Sequence, residues 1–246
     1  MMHRAPVVGI IYPDHAAEDD YPYAADLLDV ELPVAHVYGT DLHAVPELLA
    51  LGSPATLAAG AARLSGQRLD AIVWACTSGS FVYGPDGART QVERLSESAG
   101  GVPASSTSFA FTAALHALGV GRVAVAASYP RDVAALFVSF LTTAGIDVVS
   151  FSDEGIATAA EVGSLTAEDV HRMVRAADSP EAQAVVVPDT AMHTLRLLPQ
   201  LRTRLGKPVL TANQVTVWEG LRVAGYTVIR PELGRLFEEG VGHGSR

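Results

Sequence analysis

The chain is poor in reactive and basic groups: it has one cysteine, Cys76, and one lysine, Lys207, in 246 residues. A single cysteine cannot close an internal disulfide, which predicts a reducing, cytoplasmic compartment and leaves a thiol for chemistry. The lone lysine sits in the turn "LGKPV", so Schiff-base or pyridoxal chemistry, which needs an amine in a pocket, is excluded. No apolar run approaches the roughly 20 residues of a membrane span. "VVGIIY" and "AIVWAC" are cut short by Pro, Asp, Thr or Ser, and the apolar run after Met1 to Arg4 is too short for a signal-peptide core. Basic patches are missing as well. The net charge is −10 and the arginines fall at the spacing of solvated helix faces, so neither nucleic acid nor a membrane is an expected partner.

Further classes drop out on spacing. The eight histidines show no metal-ligand pattern, and only His15 and His36 are candidates for a cleft. "GVG" at 119 precedes a strand instead of following one, which excludes a dinucleotide loop. "SGS" lacks the Gly-x-Ser-x-Gly elbow of a serine hydrolase. The acidic "AEDD" at 17 to 20 reads as a solvated loop. No metal and no cofactor is expected.

What is present is a regular alternation of short β-branched apolar runs with amphipathic helical stretches, the pattern of parallel sheets covered on both faces. Strands are predicted at "VVGIIY" (7), "PVAHVY" (33), "DAIVWA" (70), "VPASS" (102), "RVAVAA" (122), "DVVSF" (147), "AVVVP" (184) and "PVLTA" (208), with a ninth candidate, "YTVIR", at 226. The chain also resembles itself at an offset of about 105 to 113 residues: "GVPASSTSFAFTAALHALGV" from Gly101 matches "GKPVLTANQVTVWEGLRVAGY" from Gly206. The predicted fold is therefore α/β, two similar doubly wound parallel-sheet lobes related by a pseudo-two-fold axis. Residues 1–118 plus 214–246 make the first lobe and residues 119–213 the second. The active site is expected in the cleft between them, where the carboxyl ends of the strands meet.

The same repeat pairs "LDAIVWACTSGS" with "AQAVVVPDTAMH", which places Cys76 and Asp189 at equivalent strand exits facing one cleft. Thr77, Ser78, Gly79 and Ser80 follow Cys76 with small hydroxyls and helix-start amides, a place for a carboxylate, and those amides are expected to lower the thiol pKa. The competing reading makes Thr77 or Ser78 an ordinary N-cap with Cys76 as filler, and Asp189 an N-cap after Pro188.

"ACTSGS" at 75 to 80, "SYP" at 128 to 130, "EVG" at 161 to 163 and above all "LGKPVLTANQVTVWEGLRVAG" at 205 to 225 resemble the maleate cis-trans isomerase and arylmalonate decarboxylase family of the aspartate/glutamate racemase superfamily. The resemblance implies a cofactor-independent enzyme with its site between two lobes. It implies Cys76 as the isomerase-type nucleophile, and Thr77, Ser78 and Tyr129 as the groups that hold a carboxylate or enediolate. Two features of the pattern are changed. The second cysteine of the family corresponds to Asp189, and the isomerases' asparagines correspond to "PDHAAEDD" and "ATAAEVG". Asp14 and His15 stand where the first asparagine is expected, and with Gly79 and Thr190 they complete the substrate-binding candidates.

These residues point to an isomerase or racemase type of reaction on a small mono- or dicarboxylate, with Cys76 as nucleophile or acid/base and Asp189 as the opposing group. A decarboxylase protonating from the Cys76 face is the alternative, and a non-catalytic carboxylate-binding protein is the rival from another class. A homo-oligomer is compatible with the sequence, which does not determine the oligomeric state.

Overall fold

The computed structural model describes residues 4–13 and 17–238. Among them eight strands form two four-stranded, wholly parallel sheets. In the first sheet β2 (Val34–Val37), β1 (Val8–Pro13), β3 (Ala71–Trp74) and β4 (Ala104–Ser106) lie side by side in that order. In the second, β6 (Asp147–Asp153), β5 (Arg122–Ala127), β7 (Ala184–Val187) and β8 (Val209–Thr211) repeat the same order. The eight firm strand expectations are met, and the internal repeat is a repeat of topology. The central strands "AIVW" and "AVVV" are buried at every residue, which is why they read as unbroken apolar runs instead of alternating ones.

The two sheets share one interior. A central apolar cluster runs from Val8, Ile10 and Val73 of the first sheet to Val123, Val125 and Val186 of the second, with Phe111 and Phe137 between them. A smaller outer cluster backs each sheet, around Ile11, Ile72 and Trp74 on one side and Val170, Val185 and Val187 on the other. The helix Ala212–Val223 is buried along nearly its whole length, packing on β3, β4 and the helix Thr107–Ala117. None of the described helices is long and apolar enough to cross a membrane.

The ninth strand candidate is corrected. Residues 226–230 are irregular and lead into two short 3-10 turns, Pro231–Leu233 and Arg235–Phe237. The amide of Arg230 donates to the Phe237 carbonyl at 2.7 Å, so it closes this loop instead of joining a sheet edge. β-branched composition marked the segment, but Pro231 and the short turn leave no room for a ladder.

Candidate active site

Cys76 stands two residues past the end of β3 and Asp189 two residues past the end of β7. Both are inside the protein, 5% and 3% exposed. They line one cavity together with Ser78, Thr190, Tyr12 and His43. Its roof comes from the loops that leave the equivalent edge strands β2 and β6. Leu42 bridges Thr158, His43 N–H donates to the Ala157 carbonyl at 2.8 Å, and Ala159 N–H donates to the Asp41 carbonyl at 2.8 Å.

Around the thiol the local geometry differs from expectation. The helix after Thr77 is a single turn, Ser78–Phe81, and the long helix begins only at Gly84. Its first amides serve the sulfur: Gly79 N–H donates to Cys76 Sγ at 3.3 Å, with Ser78 Oγ 3.8 Å away. Gly79 is required there, since a Cβ would stand 3.1 Å from Cys76 Sγ and 2.9 Å from Trp74 Cζ2. Neither competing N-cap reading holds. Thr77 makes no side-chain cap bond, and its buried Oγ1 has no hydrogen-bond partner among the described residues.

Asp189 is held on both oxygens. Oδ1 accepts from Ala191 N–H at 2.9 Å and Oδ2 accepts from the Ser128 hydroxyl. The first bond closes a local turn, not a helix start. Tyr129 is buried, donates its hydroxyl proton to the Pro188 carbonyl at 2.8 Å, and presents its ring edge-on to His43 at 4.8 Å. The Thr190 carbonyl accepts from Tyr12 Oη–H at 2.9 Å and from Asn213 Nδ2–H at 3.2 Å.

The structure thus brings Cys76, Ser78, Asp189 and Thr190 to the cavity, with Thr77 and Tyr129 fully buried beside them. Asp14 and His15 lie outside the described residues. His36 is not at the cavity: it pairs with Glu18 at 3.0 Å and stands against the Tyr12 ring. Among the described residues His43 is the histidine that lines the cavity, and nothing in the periodicity of "GTDLHAVP" marked it. Lys207 is taken up by Asp178, Ser179 and Ala182. In "AEDD", Asp20 is buried instead of solvated, accepting from Asn213, Thr194 and Leu195. Among the described residues no group of three His, Cys, Asp or Glu could hold a metal ion.

The sequence pattern of the arylmalonate decarboxylase family matches residues 55–237. The chain belongs to the arylmalonate decarboxylase family. It is 33% identical to the arylmalonate decarboxylase of Bordetella bronchiseptica over 144 residues, 56% of this chain and 59% of that protein. It is 26% identical to the maleate isomerase of Geobacillus stearothermophilus over 181 residues, 72% of each chain. In three dimensions it matches the maleate isomerase Iso of Pseudomonas putida S16 with a TM-score of 0.89 at 20% identity, over 96% of this chain and 100% of that one. A crystal structure of arylmalonate decarboxylase matches with a TM-score of 0.77 at 25% identity, over 95% and 100%.

In this member of the arylmalonate decarboxylase family burial decides the state of the thiol. Desolvation pushes Cys76 up to about 11, the charge of Asp189 adds to it, and the hydrogen bonds from Gly79 and Ser78 offset only part. The expected lowering is therefore corrected: the amides are present, but the cost of a buried thiolate exceeds what they return. Burial likewise holds the Tyr129 phenol well above its usual range. Because the folded thiol titrates above the unfolded one, its contribution to stability is complete below about pH 9 and is lost as pH rises through about 11. Over that window the wild type should lose about 2–3 kcal/mol relative to Cys76→Ala in urea unfolding. Parallel pH dependence of the two proteins would contradict this account.

Proposed function

We propose that the protein is a cofactor-independent enzyme of isomerase or racemase type that acts on a small mono- or dicarboxylate at the carbon beside the carboxyl group. The observation that carries this reading is the convergence of Cys76 and Asp189, from equivalent exits of two like sheets, on one cavity. Ser78 at the cavity wall and Thr77 beside it are the hydroxyl donors for the substrate carboxylate and for the enediolate formed from it, and Tyr129 joins them by turning its hydroxyl proton from the Pro188 carbonyl to the substrate. The unpartnered Thr77 Oγ1 supports this role, because a buried donor without a partner costs stability unless a ligand takes it up. Cys76 serves as nucleophile or acid/base on one side of the reacting carbon, and Asp189 is the group on the other. Gly79 keeps the thiol in place, and Thr190 shapes the opposite wall. The cavity then lies between a lobe of residues 1–118 with 214–246 and a lobe of residues 119–213, a division supported by the packing of the helix Ala212–Val223 on β3 and β4. The enzyme works in the cytoplasm, where a lone thiol stays reduced.

A second reading, decarboxylation, is favoured by the state of the thiol. Loss of carbon dioxide from a malonate leaves an enediolate and needs no base. The protonated Cys76 then gives its proton to the carbon, forming the C–H bond, and regains one from water. The names of the relatives, arylmalonate decarboxylase and maleate isomerase, keep both chemistries in view.

Proton NMR of the wild type in D2O with maleate, aryl- and alkylmalonates, aspartate and 2-arylpropionates tests the proposal. Deuterium exchange or cis-trans change supports the first reading, and carbon dioxide loss supports the second. If every acid stays unchanged while one of them raises the melting temperature, the protein is a carboxylate-binding protein and the enzymatic reading falls.

A further inference from the structure

The described lining of the cavity contains neither arginine nor lysine, although a carboxylate must be held there while negative charge develops on it. It contains two acids, Asp41 and Asp189, and one side chain able to carry positive charge, His43. His43 is buried at 7% exposure, on the loop that roofs the cavity. Its Nδ1 lies 3.0 Å from the Ile156 carbonyl oxygen. A carbonyl can only accept, so Nδ1 carries a hydrogen and the tautomer is decided by that bond. The other nitrogen, Nε2, stands 3.9 Å from Asp189 Oδ2. Asp189 in turn accepts on both oxygens, from Ala191 N–H and the Ser128 hydroxyl. Both oxygens of Asp189 are held by neighbours and Oδ2 faces Nε2 at ion-pair distance, so a proton carried on Nε2 has its charge partner there. The Tyr129 phenol at the ring edge is held well above its usual range by burial, and the remaining titratable groups of the cavity lining are the Cys76 thiol, pushed up by burial, and Asp41 on the same loop as His43.

We infer that His43 is the second acid of the reaction: its Nε2–H delivers a proton to the reacting carbon on the Asp189 side of the cavity, while Asp189 holds the ring charged instead of exchanging the proton itself. The inference rests on the enzymatic reading above and reassigns the part that reading gives to Asp189. In the step, the Cys76 thiol proton first passes to solvent and the sulfur either takes the proton from the opposite face of the carbon or adds to the double bond, which gives the enediolate; the His43 Nε2–H bond then breaks as the C–H bond of the product forms. The enediolate loses its extra negative charge and the ring its positive one. The neutral ring keeps Nδ1–H on Ile156 and regains the Nε2 proton from solvent after product leaves. The pair also removes an electrostatic difficulty. An unpaired Asp189 carboxylate would repel an acidic substrate, whereas the His43–Asp189 pair is neutral overall.

Two substitutions separate proton delivery from simple hydrogen bonding. In His43→Asn the amide nitrogen can take the place of Nδ1 on Ile156, and the proton carrier is lost. In His43→Gln the amide nitrogen reaches the place of Nε2 and still donates a hydrogen bond, yet it cannot release a proton. With an acid of the panel that the wild type racemises or isomerises, both variants are expected to lose about 100-fold or more in kcat, with KM within about threefold and unchanged melting behaviour as the control for integrity; a wild type that only decarboxylates, with His43→Gln as fast as the wild type, overturns the assignment. A His43→Gln protein within threefold of wild-type kcat would overturn proton delivery. Independently of turnover, nitrogen NMR of histidine-labelled protein at pH 7 should show both His43 nitrogens protonated in the wild type and one deprotonated in Asp189→Asn. A neutral His43 ring in the wild type would overturn the assignment. If no acid is converted at all, the enzymatic reading fails, and the NMR result alone decides whether the pair is charged.

Discussion

Replacing Cys76 by serine is expected to lower kcat by about 10²–10⁴-fold on any acid the protein converts, with a change in melting temperature of no more than about 4 °C. The size follows from what is removed. Sulfur at this position receives the Gly79 amide hydrogen bond at 3.3 Å and is buried against Trp74, Gly79 and Ser78, so serine fits the same space. A serine hydroxyl is, however, a far weaker acid than even a thiol pushed up to about 11, and it neither protonates an enediolate nor adds to a double bond at useful rates. The measurement is steady-state turnover of both proteins, with thermal denaturation as the control. Turnover of the serine variant within tenfold of the wild type would remove Cys76 from the chemistry.

The largest effect on stability is expected at Asp20. This buried carboxylate accepts from Asn213 Nδ2 at 2.9 Å and from the backbone amides of Thr194 and Leu195 at 3.1 and 3.3 Å. It therefore ties the first helix of the chain to the segment that follows Asp189. Asp20→Ala strands those donors in the interior and should cost about 3–5 kcal/mol. Asp20→Asn keeps an acceptor oxygen and removes a charge whose burial already raises the Asp20 pKa, so its cost should stay near 1 kcal/mol. Urea unfolding of the three proteins gives the comparison. Equal losses in the two variants would mean that charge, not hydrogen bonding, holds the segment. The alanine variant should also raise KM, because Asn213 and Tyr12 together fix the Thr190 carbonyl beside the cavity.

How much of this was legible depends on how local the physics is. The apolar runs that became β1 through β8 were readable because a strand covered on both faces needs apolar side chains in succession, and turn residues bound it. "YTVIR" satisfied the same composition and failed, since the segment runs into Pro231 and its Arg230 amide closes a local loop on the Phe237 carbonyl. Cys76 and Asp189 could be paired from the repeat alone, because like segments take like places in two copies of one topology. Thr77, in contrast, looked like a cap and turned out to bury its hydroxyl beside Tyr129 without a cap bond.

His43 illustrates the other limit. It sits in an aperiodic loop, and it reaches Asp189 only because that loop pairs with residues 157–159 of the second half. Asp20 is similar: an acidic run is usually solvated, and only the approach of Asn213 and the segment at 194 and 195 makes one of its members a buried acceptor.

The sequence by itself determined the two parallel sheets, their shared order and the strand exits that carry Cys76 and Asp189, because hydrophobic periodicity, turn chemistry and internal repetition are properties of neighbouring residues. The tertiary structure alone decided the charge state of the thiol and the company of Asp189. Desolvation is a sum over atoms brought from distant parts of the chain, and here it exceeds the effect of the local amides that the sequence shows.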